Sequence, residues 1–366
     1  MYIYLLYFVI LLFGSIANRK TYNTKWTAFM AIVFGILIGF RHIAVGTDTL
    51  GYCHEFIAWS DMDWSQFQLD IDGKNEPLYS VITWSIGYVF SSYTIFLLFW
   101  GAFISYAVYY IQKKEYLNGR EIAISYLSLF LIGLFSFFVA GIRQTFALSA
   151  ALFCWQYLKE PFDGKWYKDR STLLFLIVVA VSYQVHNSIL LFAIIYPFKS
   201  FLQNMKIKGW YIIPLVVLYF VGSRISFDQI NEISAIFFND RYAAYSDKSI
   251  YDSSWSASAY IMQLILFMVC FLVHKELEEK DKSNTMLMNL ALIALVFQSM
   301  AGAIAEMARL AYYFNIFYVI LLPRALSVWE EKFRGNSIYV AFYALSFFYL
   351  FFLSSANLPE YKFFWQ

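Results

Sequence analysis

The sequence predicts an all-α polytopic integral membrane protein, and three observations lead there. Of 366 residues, 61% are apolar and only 14% charged, against about half and a quarter in soluble domains. A spanning helix takes about 20 residues, because about 30 Å of hydrocarbon is covered in rises of about 1.5 Å. The apolar residues also fall into runs of roughly that size or shorter, set apart by brief polar punctuation, which gives about 12–13 transmembrane or re-entrant helices. A soluble enzyme, a disordered chain and a secreted disulfide scaffold are excluded. A net charge of +2 offers no reason for a nucleic-acid partner.

The runs fall, in order, at 2–17, 26–40, 77–90, 93–111, 121–138, 142–158 and 171–185, then at 187–198, 209–223, 257–274, 285–304, 308–323 and 337–353. The first has no basic residue ahead of it and no small-residue cleavage site, so it reads as a retained span. Cys53, Cys154 and Cys270 are odd in number, and two lie inside apolar runs, so they read as packing residues. Residues 1–366 form one polytopic domain, with two connections long and polar enough to carry function, 41–76 and 224–256.

Orientation follows from Lys and Arg, which short loops keep on the cytoplasmic side. Arg19, Lys20 and Lys25 place the first connection inside, as do Lys113, Lys114 and Arg120, then Lys159, Lys165, Lys168 and Arg170. Lys199, Lys206 and Lys208 mark a further inside loop, and Arg324, Lys332 and Arg334 another. The connections 41–76 and 224–256 are then the first and second outside loops. An odd number of crossings must separate 41–76 from 113–120, yet two apolar runs lie between. The run 77–90 is therefore read as re-entrant or interfacial, which a membrane tolerates only where protein covers it.

On this topology the unusual polar residues gather on the outside face. Arg41 and Asp48 open the first outside loop and Glu76 closes it; Arg143 and Gln144 lie in one tight turn, His186 in another. Arg241, Tyr242 and Tyr245 lie in the second outside loop, and Glu306 and Arg309 between the runs 285–304 and 308–323. Arginine beside hydrocarbon is costly and needs an anion. Several arginines on one face exceed what Asp48, Glu76 and Glu306 demand, and guanidinium forks suit phosphate, so a diphosphate-bearing lipid is the expected ligand.

The segment Arg41-x3-Val45-Gly46-Thr47-Asp48-Thr49-x2-Tyr52, then Glu76-Pro77-Leu78 and Arg143-Gln144-x2-Ala147, resembles the EpsG-like group of Wzy-type polysaccharide polymerases. So do His186-x-Ser188, Arg241-Tyr242-x2-Tyr245 and Arg309-Leu-Ala-Tyr-Tyr313, in the same order. The resemblance implies a GT-C-like, multi-pass protein of the bacterial cytoplasmic (inner) membrane with its active face outside. It implies polymerisation of undecaprenyl-diphosphate-linked oligosaccharide repeat units for capsule, exopolysaccharide or O-antigen. Donor and acceptor would both be lipid-linked, with a flippase and a chain-length regulator as partners and no cofactor.

In such a transfer an acceptor hydroxyl attacks the anomeric carbon while diphosphate leaves, so fixed cations near the leaving oxygens lower the barrier. Arg143, Arg241 and Arg309 are the chosen clamp, with Arg41 fourth; Asp48 and His186 are the candidate bases, and Arg143 is counted as catalytic. Gln144, Tyr242, Tyr245, Glu76, Glu306 and Tyr313 are expected to contact substrate. No metal is expected, since the acid pairs Asp61-x-Asp63 and Asp70-x-Asp72 sit in a polar stretch and arginines already serve the diphosphate.

A transporter or flippase of lipid-linked saccharide would also present cations to diphosphate. Against it stand the absence of an inverted repeat and the grouping of polar residues on one face. A membrane O-acyltransferase with His186 as base would need its thioester donor from the cytoplasm, opposite to the side assigned to His186.

Overall fold

The computed structural model describes residues 1–71, 76–162, 165–222, 257–301, 305–353 and 358–366, and these are helical apart from short turns and one isolated antiparallel bridge between Arg41 and Phe363. The chain runs through α1 (Tyr2–Ala17), α2 (Thr24–Gly39), α3 (Thr49–Ser60), α4 (Trp64–Ile71) and α5 (Pro77–Phe90). Next come α6 (Tyr93–Lys114), α7 (Gly119–Leu131), α8 (Leu134–Ala140), α9 (Ile142–Leu158) and α10 (Arg170–Tyr183). Then follow α11 (Ile189–Ala193), α12 (Lys199–Asn204), α13 (Ile212–Gly222), α14 (Ala257–Phe271) and α15 (His274–Lys280). The chain continues with α16 (Ser283–Met300), α17 (Ala305–Asn315), α18 (Tyr318–Phe333) and α19 (Ser337–Phe348).

The helix starts are chemically specified. Asn23 accepts from Lys25 N and Trp26 N to cap α2, and Asp169 accepts from Ser171 N to cap α10. At α7 the Asn118 side chain and Glu121 form a reciprocal capping box. Pro77 opens α5, where its missing N–H costs nothing.

The helices α6 and α16 are long and apolar enough to cross a membrane singly. Three bent pairs qualify when each is taken as one span: α7–α8 at 69°, α14–α15 at 58° and α17–α18 at 55°. The run expected at 121–138 breaks at Gly133, whose φ of +78° is a conformation that side chains resist. The run at 187–198 is also not continuous. Pro197 sits in a single 3-10 turn, Tyr196–Phe198, that separates α11 from α12, because proline brings no N–H to an α-helical ladder. The connection 41–76 carries α3 and α4, with α3 lying against α5. Helix α5, with its 14 residues, extends about 21 Å, short of a hydrocarbon thickness of about 30 Å. The connection 224–256 lies outside the described residues.

Two polar layers are separated by the length of α6 and α9. In one, Glu115, only 4% exposed, accepts from Trp155 Nε1 at 3.0 Å and Lys159 Nζ at 3.2 Å, and pairs with Arg324. Arg324 reaches on to Asn284 Oδ1 at 2.6 Å and Asp281 at 3.2 Å. Nearby in sequence, Arg120 pairs with Glu330 at 2.8 Å and lies over the Tyr339 ring. Glu115, Arg120, Lys159, Arg324 and Glu330 stand in the connections read above as inside. The second layer, around the first turn of α9, holds residues read as outside. From Arg143 to Lys159 the helix climbs about 24 Å.

Between the layers the core is aromatic and aliphatic. Phe34, Tyr126, Phe135 and Phe138 pack where α2 meets α7 and α8, and Trp155 lies beside Phe317. A second cluster of Tyr52, Phe56, Trp59, Tyr79, Phe96 and Trp100 ties α3 to α5 and α6.

Candidate functional site

Glu76 is the hub of the second layer. As the residue before Pro77 it sits at the N-terminal end of α5, where the helix dipole favours negative charge. One carboxylate oxygen meets Arg143 Nη1 at 2.5 Å; the other meets His186 Nδ1 at 2.8 Å and accepts from Asn187 N at 3.3 Å. Three segments far apart in sequence are thus joined through one side chain that is 14% exposed. Burial pushes the Glu76 carboxyl up, but the hydrogen bond from His186 and the charge of Arg143 outweigh it and hold it below the ordinary carboxylate value.

The backbone positions the pieces. Leu78 N donates to Gln184 O at 3.1 Å, which fixes the start of α5 against the end of α10 and so brings Glu76 to the turn that carries His186. Ser182 O accepts from both Val185 N and His186 N, closing that turn. Arg143 lies in the first turn of α9, and its guanidinium faces the rings of Tyr79 at 5.2 Å and Tyr52 at 5.6 Å. Such cation–π packing steadies a partly desolvated guanidinium by about 0.5–2 kcal/mol. Tyr79 OH in turn donates to Glu55 at 3.2 Å.

Tyr52 reaches this position because of Gly46 and Thr49. Gly46 has φ +95°, and a Cβ there would come within 2.1 Å of the Val139 carbonyl oxygen. Thr49 Oγ1 lies within hydrogen-bond distance of two carbonyls, Val45 O at 2.7 Å and Val139 O at 2.9 Å, which share its one proton. The close approach docks the start of α3 on the end of α8, two residues before α9 begins, and so lays Tyr52 beside Arg143. The same Gly46 and Thr49 stand in the motif read from the sequence.

Of the residues singled out from sequence, Glu76, Arg143 and His186 come together directly. Gln144 donates to the Arg309 carbonyl at 2.8 Å, and Tyr313 shares a 2.7 Å hydrogen bond with Ser188, two residues from His186. The turn of α17 bearing Arg309 and Tyr313 therefore lies against the same corner. The Arg309 side chain is exposed and Glu306 is partly exposed. Asp48 is partly exposed, accepts from Thr47 Oγ1 at 3.1 Å, and precedes α3 without capping it. Arg41 makes no hydrogen bond to Glu76 among the described residues, shares Tyr52 as a neighbour with Arg143, and is almost fully buried, at 1% exposure. Arg241, Tyr242 and Tyr245 lie outside the described residues.

Glu55, Tyr79, Asn187 and Ser188 were given no role by sequence reasoning. Ser188 had a signal in the spacing His186-x-Ser188. Tyr79 had one too, three residues beyond Glu76 and so about one helical turn away. Two of the acids singled out at 61–72 have structural duties: Asp63 Oδ1 accepts from Ser65 Oγ and Gln66 N at the start of α4, and Asp70 accepts from Trp59 Nε1 at 2.7 Å; Asp72 lies outside the described residues. Among the described residues no three His, Cys, Asp or Glu side chains converge as metal ligands would.

A family model described as the EpsG family matches residues 24–365, nearly the whole chain. The chain belongs to the EpsG family. This is a Wzy-like polymerase family, so the general role is polysaccharide polymerisation. No curated protein and no solved structure shows a significant match to the chain. In this EpsG-family protein the match runs from α2 to the last described residues, so it takes in every element that supplies the Glu76 group.

Chemically, the Glu76 group offers three things in one place. A carboxylate fixes one ring nitrogen of a histidine and leaves the other, Nε2, for a proton transfer. A guanidinium, 36% exposed, retains donors for an incoming anion. A short stretch of α17 brings a second arginine and a buried tyrosine to the rim.

Proposed function

We propose that this protein joins undecaprenyl-diphosphate-linked oligosaccharide repeat units on the outer face of the bacterial cytoplasmic membrane, by metal-independent, inverting glycosyl transfer. The carrying observation is the Glu76–His186–Arg143 group, set within a polysaccharide polymerase family. In the transfer, an acceptor sugar hydroxyl attacks the anomeric carbon of the donor from the face opposite the diphosphate. The new C–O bond forms as the bond to the diphosphate oxygen breaks, and the diphosphate leaves with the electron pair.

His186 takes the hydroxyl proton on Nε2 while Glu76 holds Nδ1–H, orienting the ring and stabilising the charge that develops on it. Asp48, partly exposed at the head of α3, is the second candidate base. Arg143 and Arg309 face the leaving diphosphate, with Arg241 and Arg41 completing the proposed clamp; losing one such donor typically lowers the rate about 10²–10³-fold. Glu306 is assigned to the approach beside α17, Gln144 of α9 and the buried Tyr313 are assigned to substrate through the stretch of α17 they hold in place, and Tyr242 and Tyr245 are assigned to sugar contact. A flippase that delivers the units and a chain-length regulator are the proposed partners.

Purified protein incubated with lipid-diphosphate repeat unit in EDTA tests this directly. A ladder of chains in EDTA supports the proposal. Chain growth that appears only after Mg²⁺ or Mn²⁺ is restored overturns the metal-free mechanism. Facilitated movement of the lipid across vesicles without any bond formation would favour the transporter reading instead. Cysteine accessibility at positions 48, 143 and 186 in intact cells tests the outward face.

A further inference from the structure

Arg41 follows the end of α2, and its side chain is among the largest that are fully buried. Its Nη1 donates to Ile38 O. Its Nε and Nη2 are buried with no partner among the described residues. No carboxylate pairs with it among those residues; the ionisable neighbours that share its field are the hydroxyls of Tyr93, Tyr361 and Tyr52. A buried, unpaired guanidinium is among the least tolerable groups a folded chain can hold, so its surroundings point to an anionic ligand.

What covers Arg41 is the segment 358–366. Phe363 pairs with Arg41 as an antiparallel bridge, with His42 N donating to Lys362 O at 2.8 Å and Phe364 N to Phe40 O at 2.9 Å. The Phe364 ring stacks on Phe40 at 5.4 Å, and Tyr4 OH donates to Pro359 O at 2.8 Å. The same segment brings Tyr361, whose hydroxyl is buried and also without a partner among the described residues. Phe364 and Trp365 themselves are exposed, so the segment lies over the site without being enclosed by the fold. Three hydrogen bonds, the Phe364–Phe40 stack and the edge contact of Tyr361 on Tyr4 hold this short segment, few enough contacts for thermal motion to open and close.

We propose that Arg41 and Tyr361 form a binding site for a phosphate oxyanion, and that residues 358–366 are a strap that must lift for the anion to enter and then close to complete it. The donors fit the role: the N–H of Nε, the two N–H of Nη2 and one hydroxyl, held in a site from which water is largely excluded, where charge-assisted bonds are strongest. The polymerase reading supplies only the natural source of the oxyanion, a lipid-linked diphosphate. The site itself is tested apart from chain growth.

The experiment uses the full chain in detergent and reads thermal unfolding with and without inorganic pyrophosphate, and separately with phosphatidylglycerol in the micelle. Wild type is expected to unfold at a higher temperature with at least one of them, and which one identifies the source. Arg41→Met and Tyr361→Phe should each weaken the effect at least tenfold in ligand concentration. Tyr361→Phe keeps the ring that packs on Tyr4 and Phe363, so it guards against a general folding defect.

A locked strap comes from Phe40→Cys with Phe364→Cys. Paired residues there stand about 5.5 Å apart at Cα, within disulfide range, and the three native cysteines are buried. The oxidised pair should lose the response to added anion, and reduction should restore it. No response to either ligand in wild type, or an unchanged one in Arg41→Met, overturns the site. A full response in the oxidised pair overturns the strap. If the anion responses hold while wild type makes no polymer from lipid-diphosphate repeat unit, it is the polymerase reading that has failed.

Discussion

Glu76→Gln is the sharpest perturbation of the site, because it preserves volume and removes only charge and one acceptor. In the native protein the two carboxylate oxygens accept from Arg143, His186 and Asn187 N. An amide presents one oxygen and one NH₂, so either Arg143 or His186 faces a donor. Breaking a buried pair by removing one partner costs about 3–5 kcal/mol. Arg143 is 36% exposed and water makes good part of its loss, so about 2 kcal/mol is the expected drop in stability.

The effect on rate should be larger, because His186 loses its orienting partner. General acid–base positioning is worth about 10²–10⁴-fold. The assay is chain growth from lipid-diphosphate repeat unit, read as initial rate across pH, alongside thermal unfolding of the same preparation. A Glu76→Gln protein that unfolds within a few degrees of wild type and still polymerises within tenfold of it refutes the assigned role. A double-mutant cycle with Arg143→Gln sharpens the test. Coupling below about 0.5 kcal/mol would mean that the 2.5 Å contact carries no energy.

Other outcomes follow from the same geometry. Since the folded-state value of Glu76 is depressed, its contribution to stability is full above the ordinary carboxylate value of about 4.3 and fades as pH falls through the lower folded value. Unfolding temperature measured from pH 7 to pH 3 should therefore fall more steeply in wild type than in Glu76→Gln. Gly46→Ala should destabilise by about 1–3 kcal/mol, since it adds a methyl 2.1 Å from Val139 O at φ +95°; unchanged melting would show that α3 docks differently. Glu115→Gln should lower the unfolding temperature by the equivalent of about 3 kcal/mol, because Arg324, Lys159 and Trp155 all donate to it. That change lies in the opposite layer, so a loss of chain growth without a loss of stability would contradict the division into two layers.

Much of the architecture is legible in the sequence because hydrocarbon imposes a simple rule on it. Long apolar stretches mark α1, α2, α6, α9, α16 and α19 within a few residues, while Glu76, Arg143, Gln144, His186 and the turn from Arg309 to Tyr313, scattered in sequence, meet at one corner. The breaks were harder to see. Gly133 looks like any glycine in an apolar run, and nothing in its neighbours marks it as the one that takes φ +78°. Within the site, arginines and the histidine stood out by type, whereas their organisation did not. Glu76 reads from the sequence as the close of the first outside loop, and nothing local shows that it bridges residues 67 and 110 positions away. Arg309 stood out for its charge, yet the bond it contributes to the corner comes from its carbonyl. The covering of Arg41 by residues more than 300 positions later is a tertiary fact with no local trace.

Arg143 occupies the second position of α9, whose first turn contains no acidic residue. The aligned peptide units leave about half a positive elementary charge at that end. Glu76 cancels the guanidinium alone, and its own location at the head of α5 gives its charge a second helix to serve. The mouth of α9 therefore stays electropositive even with the ion pair intact. An approaching polyanion is attracted before any internal bond has to open, and the pair can be kept while the visitor is held.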